Sequence, residues 1–210
     1  MRRVIDTYLA QADDRLLDDL DRDPQPPAAS DWIWRPQIFR RKSENLGFAG
    51  LAGPWRFDDE ATLFHDCPQA MVGARQILAT PGTSEAPFAL QIDAFAFAGS
   101  YLSLSFDLPQ PAARSMNHRH LVVVEGQIAA LRSSGLYARL NIRHGPNLAQ
   151  LTQKMDIVGG RMAATFDLAP MVLNEKRIEN TWIDILFENP FFNQYHLGDV
   201  TIHRRPRAEL

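Results

Sequence analysis

The chain has 210 residues, with 22 Lys and Arg against 25 Asp and Glu for a formal net charge of −3. At 45% hydrophobic and 22% charged residues it has the composition of a folded globular protein able to bury a full core, not that of a disordered, collagen-like or disulfide-scaffold chain. Residues 1–23 hold four Arg against seven Asp, itself −3, so the remainder is balanced and lacks both the basic field used to bind nucleic acid and a polybasic membrane patch. Neither nucleic acid nor a membrane is expected as a partner.

The positive start Met1-Arg2-Arg3 reaches Asp6 with no long apolar stretch, so no secretory signal is read there. No apolar run approaches the roughly 18 residues needed to span a bilayer. The single cysteine, Cys67, cannot form an internal disulfide, and the expected location is the cytoplasm.

Ile5, Leu9, Ala12, Leu16 and Leu20 recur at helical spacing among Asp and Arg, which predicts an amphipathic helical arm over residues 1–23. Pro24, Pro26 and Pro27 end it and make residues 24–30 a stiff linker. The arm is a candidate route to a homo-oligomer. Trp32 and Trp34 flank Ile33 and share one side of an extended segment, where they are expected to close one end of a core or pin the arm.

From residue 60 the period changes to short alternating runs broken by Pro, Gly and Asn. The runs are 88–93, 101–108, 120–130, 136–143, 161–168, 181–188 and 195–203, with weaker ones at 62–65 and 75–78. Eight to ten strands are predicted in all, with a turn at 169–174 and little helix. An all-β fold follows: an antiparallel, jelly-roll-like β-sandwich over residues 31–210.

Alternation sorts the faces. Leu136, Ala138, Leu140 and Ile142 point inward, leaving Tyr137, Arg139, Asn141 and Arg143 outside; Ile183, Ile185 and Phe187 point inward, leaving Trp182 and Asp184 outside. If the two strands share a sheet, the six outward residues Tyr137, Arg139, Asn141, Arg143, Trp182 and Asp184 combine flat rings with planar hydrogen-bonding groups. A pyranose needs that set, and a solvated face with cross-strand pairs would also show it. His144 and Asn147 lie in a turn-forming segment beside this face.

His118 and His120 followed by Glu125 reproduce the HxHxxxxE part of the cupin metal motif. In one straight strand, however, Glu125 faces away from both histidines, so no metal is expected there and no cofactor is called for. No nucleotide-binding, zinc-protease or serine-hydrolase motif occurs, and Cys67 beside His65 and Asp66 reads as a buried thiol. Asp93, Asp107, Asp167 and Asp184 are available for acid–base pairing but fall mostly at outward or turn positions. No catalytic residue is assigned.

The segments Leu173–Arg177, Trp182–Pro190 and Arg204–Leu210, with Thr62–Cys67, Arg119–Leu121 and Ala138–Asn147, resemble an uncharacterised family of alphaproteobacterial proteins over residues 31–210. That family implies no activity. The segment from Phe187-Glu188-Asn189-Pro190 to Tyr195–Ile202 is similar to the closing hairpin of jelly-roll carbohydrate-binding modules. The functional expectation is a non-catalytic β-sandwich binding module for a glycan or a protein surface. The alternatives are a metal-dependent cupin-like enzyme and a structural subunit of a larger assembly.

Overall fold

The computed structural model describes residues 23–50, 53–68, 71–80 and 84–207. The predicted arm lies outside the described residues, apart from Asp23.

The chain forms two antiparallel sheets packed face to face. Fourteen strands are seen among the described residues: β1 (Trp32–Trp34), β2 (Gly47–Ala49), β3 (Trp55–Arg56), β4 (Ala61–His65), β5 (Gly73–Leu78), β6 (Phe88–Ala94), β7 (Leu102–Asp107), β8 (His120–Ala130), β9 (Leu136–His144), β10 (Asn147–Lys154), β11 (Asp156–Val158), β12 (Arg161–Asp167), β13 (Ile178–Phe187) and β14 (Asn193–Pro206). One sheet runs β10-β9-β13-β7-β4-β3; the other runs β11-β12-β8-β14-β6-β5-β2, with β1 added to β14. The chain crosses repeatedly between them, from β6 to β7, β7 to β8, β8 to β9 and β13 to β14, which is the jelly-roll-like sandwich that the alternation predicted.

The core lies between the sheets. Leu63, Leu104, Phe106, Leu140, Ile142, Ile183 and Ile185 from the six-stranded sheet meet Leu90, Ile92, Val122, Val124, Phe166, Leu197 and Ile202 from the other, all fully buried. Each group falls at alternate positions of its strand, as a sheet with one buried face requires.

All nine predicted runs are strands, most of them shifted by a residue or so at their ends. The prediction of eight to ten was too low. β1, β2, β3 and β11 are two or three residues long and carry no period to read. β10 has Leu148, Ala149 and Leu151 off any two-residue period; it is an edge strand defined by its backbone ladder to β9. Two short helices were also unread: α1 (Gln37–Arg40), whose Ile38 and Phe39 are buried, and α2 (Gln110–Arg114) after Pro109.

The chain just beyond the proline-rich segment is fastened to the sandwich. Asp31 accepts two bonds from Arg204, from Nε at 3.0 Å and Nη2 at 2.9 Å, and its own N–H donates to the Arg204 carbonyl. β1 pairs with Ile202–Arg204 of β14, and the Trp32 and Trp34 rings stack at 6.5 Å and 19° while packing on the margin of the core. The tryptophans therefore close one side of the core.

Candidate functional site: a groove on the six-stranded sheet

β9 and β13 are neighbours in one sheet, so the outward residues read from the two strands share a face. The ladders set them in rows across five strands. One row runs Lys154, Tyr137, Leu186, Ser103 and Phe64; the next runs Thr152, Arg139, Asp184, Ser105 and Thr62; the third runs Gln150, Asn141, Trp182 and Asp107. Arg143 follows, between Leu148 and Asn180.

This face is hollowed into a groove of about 690 Å³. Arg139, Arg143, Trp182 and Asp184 line it, joined by Asp107 and by the aromatic rings of Phe64 and Tyr101, which are 37% and 47% exposed. Tyr137 lies in the outermost row and does not line the hollow.

Two of the six residues are less free than the alternation suggested. Asn141 is fully buried: its Nδ2 donates to Asp184 Oδ2 at 2.9 Å, and its Oδ1 accepts from Gln150 Nε2 at 2.7 Å. Asp184 is 4% exposed and takes Arg139 Nε at 3.0 Å and Nη2 at 2.8 Å, both on Oδ2. Outward direction did not mean solvation here, because edge strand β10 covers Asn141 and the guanidinium on β9 lies over Asp184. Asn141 and Asp184 thus form a polar support beneath the groove, with Arg139 as its exposed shoulder.

Asp107 differs from Asp184. Among the described residues its carboxylate takes no hydrogen bond; it is exposed, yet desolvation by the surrounding groove holds its pKa above the ordinary value, with Arg56 opposing and the charge of Asp184 adding to that effect. The sequence offered Asp107 only as one of four acids for acid–base pairing, and Ser103, Ser105, Thr62, Phe64 and Tyr101 were not read as groove residues. All of them fall at the outward positions of the predicted runs, Tyr101 included, although in the structure Tyr101 sits just before β7.

The cupin-like set is dispersed. His118 lies in the turn before β8 rather than in the strand and is bonded to Glu175; His120 opens β8 on the core side, where its Nδ1 accepts the Asn117 N–H at 3.2 Å. Glu125 is on the outer face, 3.9 Å from His203 Nε2. Among the described residues no three His, Cys, Asp or Glu side chains are gathered for a metal ion. His144 is buried and accepts the Asn174 N–H, so it closes the Gly145-Pro146 turn rather than facing the groove. Cys67 is a buried free thiol.

Glu125 lines a second hollow, of about 400 Å³, on the other sheet, with Arg35, Glu85, Arg161 and Asp199. No aromatic ring is among its described lining residues. The described part of the chain contains no helix long and apolar enough to cross a membrane.

The fold and this face define an antiparallel β-sandwich with an aromatic and charged groove on one sheet. The chain belongs to DUF6478, a family of unknown function whose model matches residues 1–210, so the family extends through the N-terminal segment that the sequence resemblance left aside. Among solved structures, it is similar to the enzymatically active domain of bacteriophage CBA120 tailspike protein 4 (8% identity, TM-score 0.49, 70% of this chain and 19% of that one). It is also similar to the family 11 carbohydrate-binding module of Clostridium thermocellum in complex with a β-1,3-1,4-mixed-linked tetrasaccharide (8% identity, TM-score 0.45, 76% and 99%). A third is a cyclase from Fischerella sp. TAU (12% identity, TM-score 0.42, 65% and 76%). The chain thus spans about a fifth of the tailspike domain and nearly all of the module. No curated protein matches the sequence.

Proposed function

We propose that the protein is a glycan-binding β-sandwich module whose ligand lies in the groove of the six-stranded sheet. The observation that carries this reading is the setting of Trp182. Its ring lines the groove beside Asp107 in its own row and Arg143 one row away, and neither of those charged groups is bonded to a side chain among the described residues. A sugar ring stacks on a flat aromatic face while its hydroxyls bond planar acceptors and donors at the margin, and the open rings of Phe64 and Tyr101 supply further apolar contact along the same hollow. A solvated sheet face gives no reason to gather three rings around a depression. In this reading residues 31–210 are the binding domain, 24–30 the linker and 1–23 an arm.

The test is a glycan array probed with the purified full chain, followed by titration of any hit against Trp182→Ala and Arg143→Gln. Binding that falls at least tenfold in both variants supports the reading. An array without hits, or hits indifferent to both changes, overturns it.

A further inference from the structure

The groove holds two carboxylates in unlike surroundings. Asp184 receives all three of its side-chain donors, Arg139 Nε and Nη2 and Asn141 Nδ2, on Oδ2, which leaves Oδ1 without a partner among the described residues. Asp107, on the neighbouring strand, has no bonded partner for its carboxyl among the described residues and lines the same hollow. The ladder pairs Asp184 with Ser105 and Trp182 with Asp107, so the two acids are diagonal neighbours across β13 and β7. Strand positions in that relation lie roughly 7–8 Å apart, and two aspartate side chains that diverge from them can hold their carboxyl groups at a comparable separation. Trp182 stands in the row of Asp107 and two residues from Asp184, so a sugar stacked on its ring has a carboxyl group at two points of its edge.

Two carboxyl groups about 6.5–9.5 Å apart across a glycan are the arrangement that hydrolyses a glycosidic bond with inversion, because the gap admits a water molecule. We infer that the groove is such a site, with Asp107 as general acid and Asp184 as general base. This goes beyond binding and rests on the reading that a glycan occupies the groove.

In the step, the proton of Asp107 passes to the glycosidic oxygen as the bond from that oxygen to the anomeric carbon breaks. Water at Asp184 Oδ1 attacks that carbon from the opposite face and gives its proton to Asp184. The products are a free alcohol and a sugar of inverted anomeric configuration. Asp107 is left ionised and Asp184 protonated, and exchange with solvent resets both. Water is the only co-reactant.

The surroundings suit these roles. Asp107 is exposed on the groove, but desolvation by its surroundings and the charge of Asp184 favour its protonated form, while Arg56 acts against them. Asp184 is held by Arg139 through Oδ2, which fixes its orientation and leaves Oδ1 free of that pair. Arg139, whose side-chain hydrogen bonds among the described residues all go to Asp184, is a positioning residue.

The experiment incubates the full chain with soluble mixed-linkage β-glucan, xylan, galactan and alginate, reads new reducing ends, follows the first-formed anomer by NMR, and measures binding to the same polymers by affinity electrophoresis. Release of reducing ends is expected with at least one polymer, with an inverted anomer and with loss of activity at low pH and at high pH. Asp107→Asn is expected to lower the rate about 100-fold or more while binding is kept. Asp184→Asn should do the same, and Asp107→Asn decides the matter if that second variant does not fold. Binding without release by the unmodified chain overturns hydrolysis and leaves the binding reading intact. Neither binding nor release overturns both. A retained anomer, or a rate indifferent to Asp107→Asn, overturns the assignment of the two acids.

Discussion

Arg139 holds Asp184 through two nitrogens on a single carboxylate oxygen, Nε at 3.0 Å and Nη2 at 2.8 Å, across directly paired positions of β9 and β13. The acid is nearly buried at 6% side-chain exposure and the base is open at 37%. The pair therefore stands between a surface ion pair, worth about 0.2–1 kcal/mol, and a buried one, whose loss costs about 3–5 kcal/mol. Arg139→Ala should destabilise the protein by about 2 kcal/mol at neutral pH, since it leaves the Asp184 charge to Asn141 alone. The double change Arg139→Ala with Asp184→Ala should be less than additive. Urea unfolding followed by tryptophan fluorescence measures both.

Arg143 gives the contrasting outcome. Its side chain is exposed and takes no hydrogen bond or ion pair among the described residues, so Arg143→Gln should move stability by no more than about 0.5 kcal/mol. Its effect is expected in ligand binding alone, which thermal melting and glycan titration separate.

Three buried histidines make stability fall with acid. Burial depresses the pKa of His65, with Asp66 opposing; it depresses that of His120, with Arg204 adding and Asp31 and Glu175 opposing; and it depresses that of His203, with Arg205 adding and Glu125 opposing. A histidine whose folded pKa lies below its unfolded value of about 6.5 takes its proton more readily in the unfolded chain, so stability is full above that value and is lost as the pH drops below it. The urea midpoint should fall steadily from pH 7.5 to 5.5, and His203→Asn should flatten the slope. Asp58, Glu60 and Asp107 are shifted upward, mainly by desolvation, and so act with the opposite sign, nearer the ordinary carboxylate range. Melts over this window check the sign directly.

Deletion of residues 1–22 should leave one cooperative unfolding transition. Every core residue named above lies at or beyond Ile38, and the Asp31 to Arg204 bond that fastens the start of β1 is retained. Calorimetry decides this, and size-exclusion chromatography of both forms tests whether the arm carries an oligomer. A lost transition would make the arm part of the core.

The strong alternation of β8, β9, β12 and β13 made the sandwich and its inward faces legible, because a residue pair repeating every two positions can satisfy only a sheet with one dry side. The same alternation marked Trp182, Arg139 and Arg143 as outward. Pairing was not legible. Which strand lies beside which depends on contacts between residues far apart in the chain, and only the register put Asp107 and the serines of β7 beside Trp182. Depth was not legible either. Asn141 and Asp184 point away from the core as alternation requires, yet they are buried, because a side chain's exposure is set by its neighbours across the sheet, Gln150 and Arg139, rather than by its own strand. The HxHxxxxE segment was legible only in part: alternation sends His120 and Glu125 to opposite faces of β8, but the turn that sets His118 against Glu175 carries no period. The sequence by itself determined which residues face inward, since local period depends only on neighbours along the chain. The groove, its polar support and the diagonal pair of acids were decided by tertiary structure alone, because each is a relation between strands.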